Sequence, residues 1–329
     1  MNGVKWQGLL AVILFASAVL FVSAKTMPAA AETYPARPIT IITPFAAGSA
    51  TDTAARLIGK YLQESLGQPV VVENRDGAGG MLAAETVAHA SPDGYTLLLT
   101  SNSTHSAAPA LFKHVPYDPI KDFTPIVRVG SFPSFIAVTP DLPVKSMQEL
   151  LAYAKANPGK INAGYGNSTG RITVETLKRR LNLDIVPVAY RSNPAAVTDL
   201  MGGHIQMGVP DFSTGLPMLK AGKIRGLAVL TKDRDATLPD LPTLDGTVMP
   251  GYDLLAWTGI FGPAGMPQNV VDTLAAPIGK TLAVPEVRDR FRDSGVEVYW
   301  IGPVGFSAYV KDELVKWTTL IKSAGIEPE

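Results

Sequence analysis

Pro38-Ile39-Thr40-Ile41-Ile42-Thr43-Pro44-Phe45-Ala46-Ala47-Gly48-Ser49-Ala50-Thr51-Asp52 is the stretch from which the fold is read. The β-branched run 39–43 predicts a buried strand, and Pro44 breaks it into a loop of small residues. A helical pattern follows: Ala54, Ile58, Tyr61, Leu62 and Leu66 share one face, and Gly67 closes the helix. Ser49, Thr51 and Asp52 are all residue types that cap a helix start. Such a strand–loop–helix junction points backbone N–H groups, at the positive end of a helix dipole, toward whatever lies above it. That geometry suits an anion. An ordinary capped connection is the plainer alternative. There is no G-x-x-x-x-G-K-[ST] in the chain and no G-x-G-x-x-G at this junction, so a nucleotide phosphate loop is not indicated.

Outward from this junction the pattern repeats. Residues 69–74 read as a second strand, 81–90 as a helix, and 95–99 as a third strand after the turn Ser91-Pro92-Asp93-Gly94. The third strand runs into the polar stretch Thr100-Ser101-Asn102-Ser103-Thr104-His105. This βαβαβ order predicts a doubly wound, mainly parallel sheet with ligands at the carboxyl ends of its strands. A second series starts near Ser131, with strands at 135–138, 160–164, 185–190, 205–209 and 224–229 and helices between them. The tail carries helices near 269–282, 285–294 and 303–324 but too few strands for a third domain, so it is expected to pack back on the first lobe. The division expected is 1–31 signal peptide, 32–130 and 230–329 lobe 1, and 131–229 lobe 2, with two crossings and the ligand between the lobes.

Composition narrows the function. Lys+Arg and Asp+Glu both number 29, which gives no net charge and argues against a nucleic-acid partner. The absence of cysteine removes disulfides, thiol catalysis and thiolate metal sites. Lys5, the apolar run 9–22 and Ala29-Ala30-Ala31 predict an export signal, with Ala24 as the competing cleavage site. About 14 apolar residues are short for a membrane span. The mature chain is therefore expected to be exported, soluble and without a lipid anchor. His89, His105, His114 and His204 form no metal-binding spacing, and no cofactor is expected.

Gly166-Asn167-Ser168-Thr169-Gly170 joins a strand to a helix as 44–52 does, so two helix starts, one per lobe, are placed to hold a carboxylate. The same five residues fit the G-x-S-x-G of serine hydrolases. That reading lacks a histidine in the right place, because only His204 follows Ser168 and it lies beside a turn at the far end of a strand. Other candidates are His105, as a donor in the polar run, and Asp52, as helix cap or ligand contact. Tyr190 and Arg191 offer a hydroxyl and a guanidinium to a carboxylate, and Asp211 is a possible acceptor. Phe45, Tyr165 and Trp257 are aromatics for the cleft or the core.

The chain resembles the tripartite tricarboxylate transporter solute receptors, often called Bug proteins. The resemblance rests on Tyr34-Pro35-x-Arg37-Pro38-Ile39-Thr40-Ile41-Ile42-x-Pro44-Phe45-Ala46-Ala47-Gly48 with Asp52, then Asn74-Arg75 with Gly77-Ala78-Gly79-Gly80 and Pro92-Asp93-Gly94-Tyr95-Thr96-Leu97. Later matches include Tyr117-Asp118-Pro119, Gly203-His204-Ile205 and Trp257-x-Gly259-x-Phe261-x-Pro263-Ala264-Gly265-x-Pro267. It implies a two-lobed α/β periplasmic binding protein of type II-like, Venus-flytrap form, monomeric, with a small organic carboxylate as ligand and subunits of a tripartite tricarboxylate membrane transporter as partner. By position it implies ligand contacts at Phe45, Ala47, Gly48, Ser49 and Asp52, at Ser101, Ser103, Thr104 and His105, at Gly166, Asn167, Ser168, Thr169 and Gly170, and at Tyr190, Arg191 and Asp211. Ser49 stands where the family usually has a second glycine, Val174 where a histidine is common, and Arg191-Ser192 where Lys-Gly is usual. Two other functions stay open at this point: an exported hydrolase using Ser168, and a sensor presenting its ligand to a membrane signalling partner.

Overall fold

β1 (Ile39–Thr43) buries Ile39, Ile41 and Ile42 and pairs in parallel with β2 (Val70–Asn74) on one side and β3 (Thr96–Ser101) on the other. Helices α1 (Ala50–Leu66) and α2 (Met81–Ala88) make the connections. In a computed structural model these elements belong to the described residues, 34–329. The expected signal segment 1–31 lies outside them. Residues 37–329 form one unit that carries every element named here.

Beyond β3 the simple alternation stops. β4 (Phe123–Phe132) follows in the chain, yet β10 (Ala256–Pro263) sits between β3 and β4, antiparallel to both, and β11 (Glu297–Ile301) covers the outer edge of β4. The first sheet is therefore mixed, in the order β11-β4-β10-β3-β1-β2, rather than mainly parallel. The sequence signals for β4 and β10 are weak because Pro125 interrupts one, and Gly259, Gly262 and Pro263 interrupt the other.

Only Pro133 and Ser134 separate β4 from β5 (Phe135–Val138), the first strand of the second sheet. That short joint is held from both sides, as Phe212 N donates to Pro133 O (2.9 Å) and Leu230 N donates to Ser134 O (3.0 Å). The second sheet has the order β7-β6-β8-β5-β9, with β6 (Ile161–Tyr165), β7 (Ile185–Ala189), β8 (Met207–Gly208) and β9 (Arg225–Val229). It is also mixed, because β5 runs antiparallel to both of its neighbours. After α3 (Ala108–Leu111), which precedes β4, the helices of this half are α4 (Met147–Ala156), α5 (Ser168–Arg180), α6 (Asn193–Met201) and α7 (Phe212–Lys220).

Three helices end the chain: α8 (Gln268–Leu282), α9 (Pro285–Asp293) and α10 (Pro303–Ser323). The expectation that all of them pack on the first lobe meets an exception in α10. Phe306 and Val310, near its start, join the core of Trp257 and Phe261 on the first sheet. Trp317 and Ile321, near its end, join the core of Ile136, Val138 and Leu177 on the second. At 1.5 Å per residue this 21-residue helix is about 30 Å long, enough to reach both cores.

Candidate functional site

The site is built from three loops at strand ends. In the first, Ser49 caps α1: its Oγ accepts from Asp52 N at 3.3 Å. Gly48 makes the bend with φ +79°, a conformation costly for other residues. Asp52 ties the loop together. Its carboxylate accepts from Gly48 N (2.9 Å), Arg56 Nε (3.0 Å) and Asn74 Nδ2 (2.9 Å). Burial works to raise its pKa, but the bonds from Arg56, Gly48 and Asn74 outweigh that and hold the carboxyl below its ordinary value.

The second loop follows β6. Asn167 caps α5, its Oδ1 accepting from Gly170 N at 2.9 Å. A side-chain relay fixes the preceding residue: Gly166 N donates to Asn193 Oδ1 (3.1 Å), and Asn193 Nδ2 donates to Asp211. Asp211 in turn caps α7 by accepting from Thr214 N at 3.0 Å. Burial pushes the Asp211 carboxyl up, against the opposing bonds from Asn193 and Thr214. Gly166 has to be glycine, because a Cβ there would run into the backbone of Ser192 and Asn193.

The third loop leaves β3 and turns through a π-helical segment, Ser103–Ala107. It touches the second loop directly. Ser103 Oγ lies 2.9 Å from Ser168 Oγ, and Asn102 Nδ2 donates to Ser168 Oγ (3.1 Å) and Thr169 Oγ1 (3.3 Å). Where the three loops meet, Phe45, Ser49, Ser101, Ser103, Asn167, Thr169 and Asp211 help line a cavity of about 20 Å³. That is room for about one water. A second cavity of about 280 Å³ shares Ser103, Gly166 and Asn167 with it and is further walled by Phe112, Tyr165, Arg171, Tyr190 and Arg191. The smaller cavity holds the convergent helix starts, and the larger has the space.

Residues 54–326 match the family described as the tripartite tricarboxylate transporter family receptor. The chain belongs to this receptor family. Protein BugT of Bordetella pertussis is 33% identical over 301 residues, 91% of this receptor and 92% of BugT. Among solved structures, an R. palustris protein with adipate superposes with a TM-score of 0.88 at 32% identity, over 90% of this chain and 100% of that one. The periplasmic binding protein BugD gives 0.86 at 34% identity, over 90% and 100%. MatC from Rhodopseudomonas palustris, with bound malate, gives 0.82 at 34%, over 88% and 100%. These neighbours agree with the two-lobed α/β form of the receptor.

The receptor brings together most of the residues singled out from the sequence, but not all. Phe45, Ser49, Ser101, Ser103, Gly166, Asn167, Thr169 and Asp211 line the smaller cavity. Ser168, Tyr190 and Arg191 line the larger one, and the Tyr190 hydroxyl donates to Asp199 at 2.6 Å. Asp52 and Gly170 stand behind the walls, engaged in the capping bonds described above. Ala47 and Gly48 are exposed beside the smaller cavity, and Ala50 and Thr51 face it instead. Thr104 and His105 are in the core. Thr104 Oγ1 bonds Thr100 Oγ1 (2.6 Å) and His105 Nδ1 (2.9 Å), and the imidazole stacks on Phe261 at 4.1 Å. Trp257 is fully buried as well, so of the three candidate aromatics Phe45 and Tyr165 are at the cavities, joined there by Phe112, Phe132 and Tyr190. The partners of the Ser168 hydroxyl are Ser103 and Asn102, with no histidine in contact. Sequence reasoning missed Asn102, Asn193, Arg171 and Glu329. Asn102 lay inside the polar run already under scrutiny. Asn193 gave the signal of a helix start, and nothing local marks the other two.

Proposed function

We propose that the receptor is a periplasmic solute-binding protein that captures a small organic carboxylate between its lobes. It then hands that ligand to the membrane subunits of a tripartite tricarboxylate transporter. One observation carries this reading: strand-to-helix junctions from both sheets, capped by Ser49 and Asn167, converge on one small cavity. Each helix start presents backbone N–H groups and a positive dipole end, worth about 0.3–2 kcal/mol to an anion depending on burial. Of the two nearby aspartates, Asp52 is paired with Arg56, and the Asp211 carboxyl is engaged by Asn193 and Thr214. Adipate and malate in two solved relatives fit the same class of ligand.

On this reading the protein works as an exported monomer without cofactor, and the contacts are the hydroxyls and backbone N–H groups of loops 45–51, 101–103 and 166–169. It does no chemistry on its ligand. The hydroxyl of Ser168 serves the contact between loops, and its neighbours supply no general base. The test is a thermal-shift screen of the mature chain against mono-, di- and tricarboxylates and aromatic acids. A ligand that binds only the native state raises the melting temperature with occupancy. At least one carboxylate is expected to do so, and isothermal titration should then give one site per chain. A screen in which neutral sugars or cationic amino acids stabilise the protein and no carboxylate does would overturn the reading.

A further inference from the structure

The larger cavity has a charged wall that the cap geometry does not use. Arg171, in the first turn of α5, is only 13% exposed at its side chain and donates from Nη1 to Glu329 Oε1, 2.7 Å away. Its guanidinium carbon lies 6.0 Å from the centre of the Phe112 ring. Arg191 stands on the same cavity, so its charged side chains are the Arg171 and Arg191 guanidinium groups and the Glu329 side-chain carboxylate. The remaining surface is largely apolar, from Ala78, Leu111, Phe112 and Ala189.

Glu329 is held in an unusual way. Its backbone is pinned, with Glu329 N donating to Leu111 O (3.0 Å) and Glu329 O accepting from Lys113 N (2.8 Å). Its side chain is 62% exposed and makes a single bond to Arg171 rather than a bidentate pair. An ion pair with so exposed a partner contributes little, typically about 0.2–1 kcal/mol. The carboxylate can therefore swing away while the backbone stays in place. The buried partner cannot lose its acceptor so cheaply.

We propose that Arg171 anchors a second anionic group at the far end of the ligand, and that the Glu329 side chain is its resident competitor. The ligand class is then a diacid with an apolar spacer: one carboxylate faces the start of α5 at Gly166–Ser168, where the two cavities meet, the spacer lies along Phe112 and Leu111, and the distal acid displaces Glu329 from Arg171. The inference rests on the carboxylate-receptor reading above and adds which ligands the site prefers and which residue sets the preference.

Isothermal titration of the mature protein with α,ω-dicarboxylates of four to eight carbons, and with monocarboxylates of equal length, tests it. In the wild type the best diacid should bind tighter than its monoacid. Glu329→Gln should tighten diacid binding about two- to five-fold, by removing the competing charge. Monoacid affinity should stay within about twofold of wild type. Arg171→Gln should weaken the diacid about tenfold or more, to the level of the monoacid. The proposal is overturned if Glu329→Gln leaves the diacid-to-monoacid ratio unchanged, or if Arg191→Gln and not Arg171→Gln abolishes it. Should Arg171→Gln fail to fold, the exposed Glu329→Gln decides alone. Monoacids binding as tightly as diacids would remove this assignment and leave the receptor reading intact, whereas no binding by any carboxylate would remove both.

Discussion

His105 gives this receptor one source of pH-dependent stability. Its ring is fully buried among Phe261, Phe123 and Tyr117, and Nε2 has no hydrogen-bond partner among the described residues. Burial pushes its pKa from 6.5 down to about 3. Between those values the unfolded chain binds a proton that the folded chain refuses, so stability falls as pH drops from 6.5 toward 3. Asp211 acts in the opposite sense, because its carboxyl is raised and binds its proton earlier in the folded state. Asp52, with a lowered pKa, loses its contribution only as pH falls below 3.8 and onward through its folded value. His105→Phe should therefore cut the loss in unfolding free energy between pH 7 and pH 4.5 by about 2–3 kcal/mol. Denaturant titrations at the two pH values measure it, and equal losses in both proteins would refute it. Thr104 keeps its bond to Thr100 in that variant, so no new polar group is stranded. The sequence showed His105 only as the end of a polar run after a strand. Nothing local told that the chain turns inward at Ser103 and carries the imidazole into the core, whereas Ser49 and Asn167 announced their capping roles because a cap is a contact over three residues.

At the level of elements, the two helix starts differ in how they are held. The α1 junction depends on Ser49 and the Asp52 cluster, all within its own lobe, while the α5 junction depends on Asn193 and Asp211 reaching across from later elements. Ser49→Ala should cost about 1 kcal/mol and Ser49→Gly only a few tenths, which thermal melts of the two variants resolve. Asn193→Ala strands Gly166 N and removes one of the donors to the Asp211 carboxyl, which keeps its bonds from Thr214, so it should destabilise by about 1–3 kcal/mol and loosen the 166–170 loop. The strand–loop–helix junctions were legible because periodicity and cap residues agree there. β4 and β10 were not: their prolines and glycines look like breaks until a neighbouring strand from far along the chain supplies the pairing. The same distance in sequence hid Arg171 and Glu329, which meet only because the chain after α10 returns to Leu111.

For the whole molecule, the contacts between the second and third loops are contacts between lobes. Asn102 contributes two of them, and its Oδ1 has no partner. Asn102→Ala removes both bonds, about 0.5–1.5 kcal/mol each, and should shift the lobes toward a more open average. Small-angle scattering should give a larger radius of gyration for that variant than for wild type, returning toward it with saturating carboxylate; identical curves for the two proteins would refute the idea. Helix α10, rooted in both cores, limits how that opening can occur, since it has to pivot about a rod instead of parting freely. The order of strands in the first sheet has a further consequence, for the birth of the protein. β10 fills the place between β3 and β4, yet the ribosome makes it more than a hundred residues after them. Until Pro263 has emerged, β3 and β4 lack their common neighbour, and the nascent chain has no way to complete its first lobe. Completion of the first sheet is thereby deferred until late in synthesis, after every strand of the second sheet has been made.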